Sequence, residues 1–172
     1  MSRTKKLCLS AILAAAALIL FIVEAQFPSL TSIPGIKLGL SNIVTVFALY
    51  SLGPLLALGV LLTRVILGAL VTGQVAALIY SLAGGLLAFA LAALLRPRIP
   101  AGQLWVVSVL SALAHNAGQL FAAILVTATP AILAYAPLLV LSALFTGLFT
   151  GLCAQLVLKR LCRLGLVSLY HS

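Results

Sequence analysis

Four polar side chains that can bind or react lie inside long apolar segments of this sequence: Arg64, His115, Asn116 and Gln119. An arginine costs roughly 2.5–3.5 kcal/mol at the centre of a membrane helix, so each such residue is a candidate for function. A guanidinium, an imidazole and two amides suit a small polar or anionic ligand. Glu24 is the only acidic residue of the chain, which excludes reactions that need paired carboxylates or an aspartate-rich magnesium site.

The composition places these residues in an all-α integral membrane protein. Hydrophobic residues make up 65% of the 172 residues and charged residues 6%, against about 45–50% and about 25% in soluble domains. A membrane-spanning helix needs roughly 20 apolar residues, so six spans fill one transmembrane domain. The predicted spans are residues 7–25, 38–52, 55–71, 75–95, 104–126 and 137–158. The first is longer than the roughly 7–15-residue core of a signal peptide, so we expect it to be retained.

The basic residues predict the orientation. The net charge is +9, and most of the lysines and arginines lie at the ends of the apolar segments. With the N-terminus inside, only Lys37 lies outside, whereas the cytoplasmic side holds Arg3, Lys5, Lys6, Arg96, Arg98, Lys159, Arg160 and Arg163. This asymmetry predicts that both termini are cytoplasmic, and it explains the charge without a nucleic-acid partner.

In this orientation the polar residues gather in the outer half of the membrane. At 1.5 Å per residue, Asn42 lies ~6 Å, Tyr80 and Ser81 ~9 Å, Gln119 ~10 Å, Arg64 ~12 Å, and His115 with Asn116 ~15 Å below the outer surface. Glu24 lies at the outer end of the first span. The cluster therefore predicts a site for a small ligand that arrives from outside.

A structural role explains the same residues differently. Arg64 and Glu24 would form a buried pair, while Asn116 and Gln119 would bond neighbouring helices. The sequence leaves both interpretations open. Small residues four apart, Ala11 with Ala15 in the first span, likewise fit either packing inside the bundle or docking of a partner helix.

Several motifs resemble known families. Pro34-Gly35-Ile36-Lys37-Leu38-Gly39-Leu40-Ser41-Asn42, Gly53-Pro54, Arg64 and Thr72-Gly73 resemble the substrate-binding S-components of energy-coupling factor (ECF) vitamin transporters. Tyr80-Ser81-Leu82-Ala83-Gly84-Gly85 and Ala114-His115-Asn116-Ala117-Gly118-Gln119 resemble the Gx transporter family, also labelled heptaprenyl diphosphate synthase component I. The resemblance covers about residues 7–160.

This resemblance implies a fold, a site and partners. The fold would be a six-helix S-component in a prokaryotic cell membrane. A small vitamin-like or cofactor-precursor molecule would bind near the outer face, with Lys37 and the loop 28–37 closing over it. Ala11 and Ala15 would dock a membrane coupling subunit that cytoplasmic ATPases drive. The sequence contains no P-loop and no nucleotide or flavin motif, so we expect no cofactor and no enzymatic activity.

Two other functions remain as alternatives. An accessory subunit of a redox or prenyl-quinone and flavin-related complex would bind protein partners and transport nothing. It would not be the catalytic subunit of a prenyl synthase, because that chemistry needs magnesium held by clustered aspartates. A self-contained secondary transporter is disfavoured, since proton coupling usually uses intramembrane carboxylates and Glu24 is the only one here.

Overall fold

The computed structural model describes residues 2–26, 39–73, 75–167 and 169. Within these ranges the chain forms six α-helices: α1 (Arg3–Ala25), α2 (Asn42–Leu52), α3 (Pro54–Thr72), α4 (Val75–Leu95), α5 (Leu104–Thr127) and α6 (Ala136–Arg163). Short 3-10 helices cover Ala101–Gln103 and Pro130–Tyr135. The expectation of an all-helical protein is confirmed for the described residues.

Local sequence explains where these helices begin and end. Ser2 caps α1 by accepting a hydrogen bond from the Lys5 N–H, a common arrangement at a helix start. Gly53, at φ +92°, separates α2 from α3, and Pro54 opens α3 at a position where its missing N–H costs nothing. Gly73 ends α3 in the left-handed conformation.

Among the described residues, five helices are long and apolar enough to cross a membrane, and α2 is the exception. With 11 residues α2 measures about 16 Å, about half of the hydrocarbon core. The second span, expected over residues 38–52, therefore has a shorter described helix than predicted. Helix α2 contacts all five other helices and is buried along almost its whole length, so it lies at the centre of the bundle.

The outer surface of the bundle is apolar, as expected of a protein in lipid. Leu55, Leu70, Phe145 and Phe149 each expose more than 60% of their area. A soluble monomer rarely exposes so many large apolar side chains. Helices that face lipid satisfy their backbone groups internally, which makes this surface stable in a bilayer. The chain is a membrane protein with several transmembrane helices.

Glycines allow close contact between α4 and α5 and between α5 and α6. A Cβ added at Gly84 of α4 would lie 2.7 Å from the His115 carbonyl oxygen, and one at Gly118 of α5 would lie 2.8 Å from the Ala83 carbonyl oxygen. Helices α4 and α5 thus touch backbone to backbone. Gly151 of α6 packs in the same way against the Trp105 backbone of α5.

The buried apolar residues form two regions. One, at the end predicted to be cytoplasmic, includes Phe47, Leu49, Leu104 and Leu158. The other, at the opposite end, is formed by Tyr80, Leu120, Ala122, Ala123, Ile132 and Leu139. Buried polar residues occur on all six helices and are most numerous on α2 and α5.

Candidate binding site

A group of buried polar side chains from three helices forms the candidate site. We call it the polar cluster; it consists of Asn42 and Thr45 of α2, Arg64 of α3, and Ser111, His115 and Gln119 of α5. Each exposes 9% of its area or less. Buried polar atoms are normally hydrogen-bonded, so the partners of these side chains decide what the cluster can do.

Arg64 is the largest side chain of the polar cluster and exposes 2% of its area. Its Nη1 donates a hydrogen bond to Ser41 Oγ. Within the described part of the chain, its Nε and Nη2 have no hydrogen-bond partner. A guanidinium presents its N–H groups as a planar fork that matches a carboxylate or phosphate. Arg64 therefore retains donors for an anionic or carbonyl group.

Glu24 lies beside this arginine at the end of α1 and exposes 5% of its area. Its carboxylate accepts a hydrogen bond from the Gly39 N–H and acts electrostatically on the Arg64 guanidinium. Both effects favour a folded arrangement in which α1, α3 and the start of α2 are held together. These contacts support the interpretation of Glu24 and Arg64 as a structural pair. The pair does not occupy all of the donors of the guanidinium.

The turn before α2, residues 39–41, covers the polar cluster. Gly39 has a φ of +77°, a conformation that favours glycine. A Cβ at Gly39 would lie 2.9 Å from Asn42 Nδ2 and 3.0 Å from His115 Cδ2. The turn therefore needs glycine both for its backbone and for its contact with the imidazole. Lys37 and the expected lid 28–37 lie outside the described residues.

The α5 residues of the polar cluster share one helix face. Ser111, His115 and Gln119 are four residues apart, a spacing that aligns side chains along a helix. The His115 ring lies against the backbones of Gly39 and Gly84. Gln119 exposes 1% of its area, and neither its Oε1 nor its Nε2 has a hydrogen-bond partner among the described residues.

Asn116 faces a different neighbour. Its Nδ2 donates to the Leu139 carbonyl oxygen at 2.8 Å and contacts Ser142 Oγ at 3.4 Å, which joins α5 to α6. This is the helix-bonding arrangement that the structural alternative expects of Asn116. It lies next to the polar cluster in sequence but does not belong to it in space.

The remaining predicted residues lie outside the polar cluster. Ser81 is buried on α4, at 4% exposed area, and Tyr80 packs in the apolar region with Leu120 and Ile132. Ala11 and Ala15 are exposed on α1, on the outside of the bundle. Their surface is open to lipid or to a partner helix.

Sequence reasoning missed Ser41, Thr45 and Ser111. Asn42 Nδ2, Thr45 Oγ1 and Ser111 Oγ have no hydrogen-bond partner within the described residues. Asn42, Thr45 and Ser111 line a cavity of about 10 Å³. That volume admits about one water molecule. The four-residue spacing of Ser111 from His115 was a signal that would have found it.

The polar cluster thus combines free donors and free acceptors in a closed interior. An unsatisfied buried polar group costs about 1–3 kcal/mol, and the cluster contains several. Such a group of atoms is expected where a ligand or water completes the hydrogen bonds. Among the described residues, no three His, Cys, Asp or Glu side chains come together.

Comparison with known proteins supplies the family. The sequence profile described as heptaprenyl diphosphate synthase component I matches residues 13–157, most of the chain. The protein belongs to this family. No curated protein and no solved structure matches the chain.

The matched range includes the whole polar cluster, since Asn42 and Gln119 lie well inside it. This member of the heptaprenyl diphosphate synthase component I family has a single acidic residue, Glu24. Its polar cluster contains a guanidinium, an imidazole and amides rather than carboxylates.

Proposed function

We propose that this protein is the substrate-binding membrane subunit of an ECF-like importer. It binds a small vitamin-like or cofactor-precursor molecule that carries an anionic or carbonyl group. The observation that supports this most strongly is the set of buried atoms with no partner in the described chain: two donors of Arg64 and both amide atoms of Gln119. A purely structural core leaves few such groups, because each destabilises the fold.

In this proposal the residues have separate roles. Arg64 binds the anionic or carbonyl group, while Gln119, Asn42 and Ser111 donate and accept hydrogen bonds around it. His115 forms one wall and fixes the turn at Gly39. The cavity of about 10 Å³ is too small for such a ligand, so binding moves the turn at residues 39–41 away from α5.

The exposed surface of α1 provides the proposed contact with a coupling subunit. Ala11 and Ala15 lie on the outside of the bundle, where small side chains let a partner helix approach closely. The sequence has no P-loop, so ATP-driven transport would depend on that partner and on cytoplasmic ATPases.

The ligand proposal is tested by purifying the protein in mild detergent from its native membranes, denaturing it, and identifying the released small molecules by mass spectrometry. We expect one compound in wild-type protein that is depleted in Arg64→Gln and retained in the control Arg98→Gln, an exposed arginine outside the polar cluster. Equal recovery from both variants would contradict the role of Arg64.

The docking proposal is tested with Ala11→Leu. The residue is exposed, so we expect the variant to fold as wild type and to lose co-purification of the coupling subunit. The matched control is Ile12→Leu. Ile12 is also exposed on α1, but it follows Ala11 directly and therefore lies on a different face of the helix. If both variants retain the same partners, Ala11 is not a docking residue.

The family name supports a second candidate, an accessory subunit of a prenyl diphosphate or quinone-related complex. A single acidic residue cannot provide the clustered carboxylates of the magnesium-dependent reaction, so we propose no catalysis by this chain. This candidate predicts an enzyme in the purified complex and no released compound, the opposite of the result expected above.

A further inference from the structure

A second cavity lies at the end of the bundle remote from the polar cluster. It has a volume of about 530 Å³ and lies between the end of α6 and the short helix Ala101–Gln103. Cavities of about 300–1,000 Å³ are typical of small-molecule sites. Its wall on α6 includes Gln155, Leu158, Lys159, Cys162 and Arg163.

The end of α6 holds these residues in place. Gly165, at φ +69°, donates its N–H to the Cys162 carbonyl oxygen, and the Leu166 N–H donates to the Leu161 carbonyl oxygen, each at 3.1 Å. This pair of bonds is a Schellman motif, which ends the helix and satisfies its last carbonyls. The chain then turns back, and Leu169 reaches the cavity wall.

The cavity combines two cations, an acceptor and an apolar floor. Lys159 and Arg163 are exposed at its rim, and Leu158 is buried beneath them. The only acidic side chain of the protein, Glu24, lies at the outer end of α1, remote from both. Gln155 Oε1 is buried beside the cavity without a hydrogen-bond partner in the described chain, so a small rotation of this side chain would offer an acceptor to a hydroxyl.

The position of the cavity matches the surface of a bilayer. Helix α6 has 28 residues and measures about 42 Å at 1.5 Å per residue. The hydrocarbon core is about 30 Å thick, so α6 extends beyond it. Arg160 and Arg163 lie in the last turn of α6, and basic residues favour this end as the part that extends out of the core. The cavity thus lies at headgroup level on the side that the basic residues predict to be cytoplasmic.

We propose that this cavity binds the headgroup of an anionic phospholipid that carries a free hydroxyl, such as phosphatidylglycerol. The phosphate lies between Lys159 and Arg163, the headgroup hydroxyl donates to Gln155 Oε1, and the acyl chains leave along the apolar surface of α6. Basic pockets at the cytoplasmic ends of membrane helices are suited to anionic headgroups. This site is separate from the proposed importer site and does not depend on it.

Native mass spectrometry of the detergent-purified protein tests this proposal. The probes are phosphatidylglycerol, phosphatidylcholine and inorganic phosphate, each added at the same concentration. We expect preferential retention of phosphatidylglycerol, by about fivefold per cation. The double variant Lys159→Gln/Arg163→Gln abolishes the preference. The control Arg3→Gln/Lys5→Gln removes the same charge from exposed residues at the start of α1, and we expect this variant to retain the preference for phosphatidylglycerol.

Cys162 reports whether the lipid occupies this cavity. Its thiol is free and partly buried, so a protein with Cys8→Ser and Cys153→Ser allows its reaction with a maleimide to be followed alone. We expect nanodiscs that contain phosphatidylglycerol to slow the reaction relative to phosphatidylcholine nanodiscs.

Four outcomes would overturn the proposal: equal retention of the two lipids, equal loss in both double variants, equal Cys162 rates in both nanodiscs, or protection by inorganic phosphate without protection by lipid. Protection that requires a co-purified protein rather than anionic lipid would assign the cavity to a protein partner and would also overturn it.

Discussion

Replacing Gln119 with methionine should stabilise the ligand-free protein and abolish ligand binding. Gln119 exposes 1% of its area, and its Oε1 and Nε2 have no hydrogen-bond partner in the described chain. Methionine has nearly the same length and no polar atom that needs a partner. The substitution therefore removes a cost of burial and a binding group together.

The expected size follows from these two atoms. One unsatisfied buried polar group costs about 1–3 kcal/mol, and partial relaxation or a water molecule lowers the sum. We therefore expect a gain of about 1–2 kcal/mol in the free energy of unfolding for Gln119→Met. For a chain of this size that raises Tm by roughly 2–8 °C.

Asn116→Leu is the matched control on the same helix. Leucine has nearly the same shape as asparagine, but the substitution removes the 2.8 Å hydrogen bond to the Leu139 carbonyl oxygen. The Leu139 carbonyl oxygen keeps the Ser142 hydroxyl as a donor, and the substitution also removes Asn116 Oδ1, which is buried without a partner in the described chain. These effects oppose each other, so we expect a change of less than about 1 kcal/mol. Thermal unfolding of both purified variants, followed by far-UV circular dichroism in one detergent, measures the two shifts.

The structure requires a higher Tm for Gln119→Met than for wild type and for Asn116→Leu. If Gln119→Met lowered Tm instead, Gln119 would have a structural partner. The hydrogen-bonding capacity that we assign to ligand binding would then not exist, and the case for the polar cluster as a binding site would fail.

Two glycine pairs give further predictions. Gly39→Ala should destabilise the protein more than Gly73→Ala. Both glycines have a positive φ, but only a Cβ at Gly39 would contact neighbouring atoms. The difference in Tm between the two variants therefore measures the effect of that contact. Gly84→Ala should lower the free energy of unfolding by about 1–3 kcal/mol, because the added Cβ would lie too close to α5. At Gly59 an added Cβ meets no atom within 4 Å, so Gly59→Ala should stabilise α3 by about 0.5–1 kcal/mol. A Gly39 variant as stable as the Gly73 variant, or a Gly84 variant as stable as the Gly59 variant, would contradict these packing arguments.

The helices were predictable because their boundaries carry strong local signals. The turn at Gly53 and Pro54, for example, separates two apolar runs, and the observed helices end and begin there. The short, central α2 was not predicted, since residues 38–52 form one mainly apolar segment and the observed helix begins only at Asn42. The turn that precedes it lies against the His115 ring at Gly39, a tertiary contact that the sequence does not show.

The polar cluster was predictable only in part. Arg64, His115 and Gln119 stood out because such residues are rare in apolar helices. Thr45 and Ser111 did not, because short hydroxyls are common there and often bond their own helix. Consecutive residues of a helix point in different directions, which the sequence alone does not resolve. Asn116 follows His115 directly, yet its side chain donates a hydrogen bond to α6.

The central claim is that the polar cluster binds a small molecule through Arg64. The most direct measurement is the intact mass, by native mass spectrometry, of wild-type protein, Arg64→Gln and Arg98→Gln purified from native membranes. We predict one added mass per wild-type chain, present with Arg98→Gln and absent with Arg64→Gln. A wild-type chain with no added small molecule, or an added mass that Arg64→Gln leaves unchanged, would contradict the claim.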